Sequence, residues 1–210
     1  ARAAGRAEAA QLTAHVARSA RALAEALAAA GLQVAGMEHE IDTTFGPRRL
    51  TGRIDCLAAE PDGGAEAVID VKLGSAARHR ALLEEGRAVQ LATYAWSRHQ
   101  ATGHWPAVAY LVLSEARFLT PARSPLAAAA DPVEGPAVEA VWASFRDALA
   151  AGEGWLATGA VPVRPLEDPE ARPAGAGLVL DPLPGPRSGD PSPLCRGCAY
   201  RLLCGLEIPA

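Results

Sequence analysis

Hydrophobic and polar residues alternate along three consecutive segments in the first part of the chain. Leu32 to Phe45 sets Val34, Gly36, Glu38, Glu40 and Asp42 against Ala35, Met37, His39 and Ile41, a period of two that predicts a strand. Gly46-Pro47 predicts a turn and Arg49 to Ala59 a returning strand. Glu60-Pro61-Asp62-Gly63-Gly64 predicts a second turn, and Ala67 to Gly74 completes a three-stranded meander. Helical spacing flanks it. Leu12, Val16, Leu23 and Leu27 predict a helix over Ala7 to Ala30, stopped by Gly31. Leu83, Val89, Leu91, Tyr94 and Trp96 predict one helix over Leu82 to Ala101, with Gly103 after its end. Ser75 to Arg80, between strand and helix, reads as a basic connection that is either solvated or set to touch a phosphate backbone.

Further on, Pro106 to Leu113 predicts an apolar strand with Ala116 to Thr120 as a short partner, and Ser124 to Pro136 a loop. Ala137 to Gly152 predicts an amphipathic helix carrying Val141, Trp142, Phe145 and Leu149, with Trp155-Leu156 packing beneath it. From Val161 to Pro193 proline and glycine dominate and no regular element emerges. The expected organisation is a core over 1–160, a connecting segment over 161–193 and a cysteine-rich end over 194–210.

The strand Ala67-Val68-Ile69-Asp70-Val71-Lys72-Leu73-Gly74 breaks the apolar rule in an informative way. Side chains two apart on a strand point the same way, roughly 7 Å apart. Asp70 and Lys72 therefore share a face with Val68, while Ile69, Val71 and Leu73 fill the other. A carboxylate and an ammonium among Val and Ile are costly unless paired or bound. They form a buried ion pair, a frayed strand end with both groups in water, or a reactive pair in a cleft. The preceding turn can bring Asp55 beside Asp70. Two carboxylates at one point favour a shared proton or a divalent cation between them, and oxygen ligands suit Mg²⁺ or Mn²⁺ rather than zinc. Of the acidic residues on the first strand, Glu40 is the one placed to support such a site by hydrogen bonding, and Asp42 reads as solvated.

Composition narrows the setting. The 210 residues are half hydrophobic, enough for a core, and the net charge of -4 gives no global basic field. No apolar run approaches the ~20 residues that span a bilayer, and Ala1 to Ala10 lacks the apolar segment of a secretory signal. This predicts no membrane association and a cytoplasmic setting. Four cysteines without such a signal argue for metal binding over disulfides. Cys195, Cys198 and Cys204 follow C-x2-C-x5-C, a thiolate cluster suited to zinc or to an iron–sulfur centre, although full cysteine ligation needs a fourth. Cys56 falls on the strand face opposite Asp55 and reads as a core residue.

Taken together, His15, Gly52-Arg53-Ile54-Asp55, Asp70-Val71-Lys72 and Gln90-Leu91-Ala92-Thr93-Tyr94 resemble, in order and spacing, the RecB-like branch of the PD-(D/E)xK nuclease superfamily. The resemblance covers about residues 10–115. It implies a restriction-endonuclease-like α/β core: a mixed central sheet flanked by helices, with the cysteine-rich extension at the C-terminal side. It also implies roles. His15, Asp55, Asp70 and the Val71 carbonyl would hold Mg²⁺ or Mn²⁺; Lys72 would position water and steady the phosphate; Gln90 would orient the catalytic groups or touch DNA, and Tyr94 would support them by packing. The terminal cysteines resemble the iron–sulfur members, AddB-like and CRISPR-associated exonucleases, in which an upstream cysteine joins the last three around a [4Fe–4S] cluster. Two departures stand out: no cysteine precedes His15, and the usual glycine a few residues before that histidine is missing. The chain opens without Met, so the expectation is that a preceding segment supplies the first cysteine, with another ligand as the alternative.

The resemblance implies a metal-dependent DNA nuclease, an exonuclease of repair, recombination or defence, acting on single-stranded or duplex ends with a helicase or larger complex. Two rivals remain open: a catalytically silent DNA-binding module with a structural cluster, and a zinc-stabilised interaction domain in which Asp70 and Lys72 form only a salt bridge.

Overall fold

The computed structural model describes residues 2–158. Helix α1 (Arg2–Ala29) is followed by strands β1 (Gln33–Phe45), β2 (Arg48–Ala59) and β3 (Glu66–Lys72). Helices α2 (Ala76–Glu84) and α3 (Val89–Thr102) lead to β4 (Ala107–Val112) and β5 (Arg117–Pro121). A 3-10 turn at Pro125–Ala128, strand β6 (Asp131–Val133) and helix α4 (Val138–Ala157) complete the described elements. The strands form one six-stranded sheet in sequence order. The expected meander is present, β1 antiparallel to β2 and β2 to β3. The sheet is mixed because β4 lies parallel to β3, and α2 and α3 fill the crossover between them.

Alternation in β3 divides the core in two. Val68 packs with Val108, Tyr110, Leu83, Leu91 and Ala95, on the side covered by α2 and α3. Ile69 packs with Ala109, Leu111, Phe118, Ala26 and Leu27, on the side covered by α1. Helices on both faces make this the α/β architecture expected of a restriction-endonuclease-like core. No helix among the described residues is long and apolar enough to cross a membrane.

Several local expectations are corrected. Leu82 to Ala101 is not one helix. Gly86 adopts a φ of 66°, and the Gly86 and Arg87 amides bond back to Leu83 O and Leu82 O at 3.2 and 2.8 Å. That paired reversal is a Schellman stop, which ends α2 and lets α3 start in a new direction. Gly31 ends α1 the same way, with a φ of 71°. Ser75 to Arg80 is mostly helix, because α2 begins at Ala76; its basic residues hid a short helix with buried Ala76, His79 and Leu83. The loop expected over Ser124 to Pro136 holds the 3-10 turn and β6, too short to show a period. Leu156 lies within α4 and is 67% exposed, so it does not pack beneath that helix.

The chain divides into two compact units, Ala1–Trp142 and Ala143–Ala210. The described part of the second is the remainder of α4. The connecting segment over 161–193 and the cysteine-rich end lie outside the described residues.

A Cβ at Gly86 would meet Pro136 Cγ at 2.6 Å, and its positive φ disfavours any L side chain. Gly86→Ala should therefore cost at least about 1–2 kcal/mol in urea unfolding, and an unchanged midpoint would contradict the turn described.

Candidate active site

Strands β2 and β3 pair only from Cys56↔Ile69 to Ala59↔Glu66. Beyond Cys56, β2 continues as an arm paired with β1 alone, out to Phe45↔Arg48. The sheet forks there, and Asp55 stands at the fork. Its Oδ2 accepts the Val71 N–H at 2.7 Å, replacing the ladder bond a main-chain carbonyl would otherwise make. A carboxylate thus holds the strands together where the backbone ladder has stopped.

Asp70 is 1% exposed. Burial, the largest influence, raises its carboxyl above the usual carboxylate range; the nearby Lys72 ammonium opposes this, and Asp55 adds to it. Lys72 Nζ lies 2.6 Å from Asp70 Oδ2, yet Oδ2 has no hydrogen-bond partner of good geometry. The ion pair is close without being aligned, which leaves a buried oxygen with capacity for a further ligand. Lys72 Nζ also donates to Gln90 Oε1 at 2.8 Å, and Gln90 Nε2 donates to Tyr94 OH at 3.1 Å. Helical spacing of i and i+4 on α3 stacks Gln90 over Tyr94. Lys72 is fixed from two sides.

The arm closes on this chain through a glycine. A Cβ at Gly52 would meet Ile41 Cδ1 at 3.2 Å and Tyr94 Cε1 at 3.4 Å, so only glycine lets the arm lie on Tyr94 without displacing a neighbour. Farther along, Phe45 packs edge-on to Trp96 and Trp142, with ring centroids at 5.4 and 5.2 Å, and those two indoles stack at 4.6 Å.

A fork with two carboxylates, a lysine two residues on, and a glutamine and tyrosine behind it is the arrangement that the comparisons bear on. The sequence model of the PD-(D/E)XK nuclease superfamily matches residues 1–205. The chain belongs to the PD-(D/E)XK nuclease superfamily. No curated protein and no solved structure matches the chain. Members of this superfamily typically use divalent cations such as Mg²⁺ and act on DNA. The donors at the fork fit such an ion: the chemistry is all oxygen, and the buried Asp70 Oδ2, with the Lys72 ammonium 2.6 Å away, keeps lone-pair capacity for a cation.

At this fork the structure brings together Asp55, Asp70, Val71, Lys72, Gln90 and Tyr94. It does not bring in every residue singled out from the sequence. His15 is half-buried on α1, one turn before Ser19, whose Oγ donates to Leu113 O at 3.2 Å. Leu113 N–H in turn bonds Lys72 O at 2.8 Å, so this face of α1 lies toward the site end of the sheet. Among the described residues, however, no three His, Cys, Asp or Glu side chains converge as a metal set. Glu40 sits on the arm, 3.6 Å from Arg53 and exposed, and Asp42 pairs with Arg49. Cys56 is buried and free, its thiol pushed up by burial and by the charge of Asp55. Cys195, Cys198 and Cys204 lie outside the described residues.

Two neighbours of the site were not singled out from sequence. Tyr110 is level with Asp70 in the parallel register and 2% exposed; burial, then the charge of Asp70, holds its phenol well above the ordinary range. The imidazole of His79 packs on the Tyr110 ring at 5.0 Å. A lone Tyr inside an apolar strand was the available signal.

Burial outweighs the Lys72 ammonium and disfavours the ionised form of Asp70 in the folded state, so a neutral isostere relieves that cost while removing a cation ligand. Asp70→Asn should melt at or above the wild-type temperature in metal-free buffer. Excess Mg²⁺ should raise the wild-type melting temperature and leave that of the variant unmoved; an equal shift in both would remove Asp70 from the cation site.

Proposed function

We propose that this chain is a metal-dependent deoxyribonuclease of RecB-like, iron–sulfur type. It would hydrolyse phosphodiester bonds as an exonuclease at single-stranded or duplex DNA ends, in repair, recombination or defence. The cytoplasm is its expected setting, and a helicase or larger nuclease complex its expected partner. One observation carries the nuclease reading: the unbroken series of contacts from Asp55 through Val71 and from Asp70 through Lys72 and Gln90 to Tyr94, at an open fork in the sheet.

Asp55, Asp70 and the Val71 carbonyl, with His15 from α1, are the groups that would hold Mg²⁺ or Mn²⁺. A cation bound there supplies Lewis-acid polarisation of the scissile phosphate and of water. Lys72 carries three donor hydrogens. Its contacts to Asp70 and Gln90 aim the ammonium, leaving a donor for the attacking water or a phosphate oxygen whose charge grows in the transition state. Gln90 sets the reach of Lys72, and Tyr94 sets Gln90. Asp55 has a further role through backbone, because its bond to Val71 N–H fixes the main chain at the residue whose carbonyl would face the cation.

The iron–sulfur part of the reading rests on the C-x2-C-x5-C spacing of Cys195, Cys198 and Cys204, with Zn²⁺ as the alternative occupant. One observation favours the rival silent DNA-binding module: no third metal-ligating side chain is gathered at the fork among the described residues.

Cleavage of single- and double-stranded DNA, with and without Mg²⁺ or Mn²⁺, tests the choice. Wild type should cut only with the cation, and Asp70→Ala or Lys72→Ala should lower the rate by at least about 10²–10³-fold. Wild type that binds DNA but cuts with neither cation is the silent module. Anaerobically purified protein containing iron and absorbing in the visible supports the cluster, whereas a colourless zinc protein rejects it.

A further inference from the structure

At Asp55 the β1–β2 arm turns over. In β2, Leu57 packs on the side of the sheet covered by α2 and α3, and Cys56 and Ala58 on the side covered by α1, as alternation requires. Continued without a break, the same alternation would set Ile54 and Gly52 on the α1 side with Cys56. They lie on the other side. Ile54 belongs to the cluster that holds Leu57 and Tyr94, and a Cβ at Gly52 would meet Tyr94 Cε1 at 3.4 Å. β1 follows: His39 and Ile41 pair with Ile54 and Gly52, Ile41 joins the same cluster, and His39 Nε2 lies 3.3 Å from Arg98 on α3. One residue has dropped out of the alternation in each strand.

The register locates them. Pairing passes from Met37↔Cys56 to His39↔Ile54 and leaves Glu38 and Asp55 opposite one another, unpaired. Glu38 has a φ of 52°. That left-handed conformation crowds the Cβ against the following carbonyl oxygen, and glutamate is not among the residues that visit it readily. Ala116, with a φ of 50°, lies in the turn between β4 and β5, where such a conformation is ordinary; Glu38 stands inside a strand. The bend it makes is tight. A Cβ on Gly36 would lie 3.7 Å from His39 Nδ1, although residues three apart on an extended strand are separated by roughly 10 Å. The Glu38 carboxylate does not hold this bend: it is exposed and reaches Arg53 at 3.5 Å, a surface ion pair that contributes little.

We propose that Glu38 is a positioning residue for Asp55: its left-handed backbone takes Asp55 out of strand alternation and turns the carboxylate edgewise onto β3. The inference rests on the nuclease reading for the role it gives Asp55, and deepens it by naming what aims that group. Side chains in regular alternation stand roughly perpendicular to the sheet, whereas the N–H groups of the next strand lie in its plane. Asp55 reaches the Val71 N–H at 2.7 Å because its side chain has left the perpendicular positions. The same bend brings the apolar face of the arm, Ile41 and Ile54, onto the α3 side.

The full chain carrying Glu38→Gly, Glu38→Ala or Glu38→Val tests this by thermal melting and by hydrogen exchange at the Val71 amide. In a regular strand Gly melts below Ala; at a left-handed position the order reverses. Glu38→Gly should therefore melt above Glu38→Ala, and melting at or below it overturns the proposal. Adding Asp55→Ala to each variant reads the aim of the carboxylate. In the Glu38→Gly background it should cost Val71 about tenfold in protection. In the Glu38→Val background, where a β-branched residue resists the left-handed φ, it should cost less than about twofold, the carboxylate having already turned away. Equal losses in the two backgrounds overturn the proposal. Excess Mg²⁺ should raise the melting temperature of Glu38→Gly and leave that of Glu38→Val unmoved; equal, non-zero shifts overturn it too. Exchange at Val71 needs neither cation nor cleavage, so a chain that binds no Mg²⁺ and cuts no DNA loses the nuclease reading while the positioning of Asp55 is still decided. If Glu38→Val does not fold, the other two variants decide. Glu38→Gly that melts above Glu38→Ala and keeps the tenfold Asp55→Ala loss sustains the proposal, and a smaller loss in Glu38→Gly than in Glu38→Ala overturns it.

Discussion

The site depends on one hydrogen bond. Where the β2–β3 ladder ends at Cys56 and Ile69, the carboxylate of Asp55 takes the Val71 N–H in place of a main-chain carbonyl. A ladder that simply continued would pair Val71 with β2 main chain and leave the Asp55 carboxylate no such role. A ladder that stopped without a substitute would leave the Val71 donor unpaired in a half-buried position, at about 1–3 kcal/mol. The side-chain bond does neither. It lets the arm of β1 and β2 part from β3 while keeping its last anchored residue within reach of Asp70, and so sets two carboxylates together where the ladder ends.

The rest of the fold holds those two carboxylates in place. β4 runs parallel beside β3 and sets the buried Tyr110 level with Asp70, removing water from one side of the carboxylate. Burial raises the carboxyl of Asp70, so ionising it needs positive charge nearby. Lys72 supplies part of that charge, and a cation at Oδ2 would supply the rest. The arm is braced at Gly52 on Tyr94 and at Phe45 on Trp96 and Trp142. The same helix α3 that braces the arm also carries Gln90, which aims Lys72. Bracing and aiming are therefore one mechanical unit.

Much of this was legible in the residues. The meander followed from alternation and two turns, and the shared face of Asp70 and Lys72 followed from a spacing of two. The stacking of Gln90 on Tyr94 followed from a spacing of four, and Gly31 marked a helix end correctly. What was missed had no periodic signature. Gly86 lies in a run that otherwise reads as helix, and only its left-handed φ shows that two helices meet there. His79 sits among arginines and looks solvated, although three-dimensional packing buries it under Tyr110. The fork itself is a place where pairing stops, and alternation persists on both sides of it.

The most direct measurement of the central claim is amide hydrogen exchange at Val71 by NMR, in wild type and in Asp55→Ala. The account predicts a protected Val71 amide in wild type and a loss of that protection by at least about tenfold in the variant, because only the Asp55 carboxylate accepts it. The amides of β3 that face β4 should be unaffected. A Val71 amide equally protected in both proteins would mean that main chain, not Asp55, holds the strands at this point, and would contradict the account.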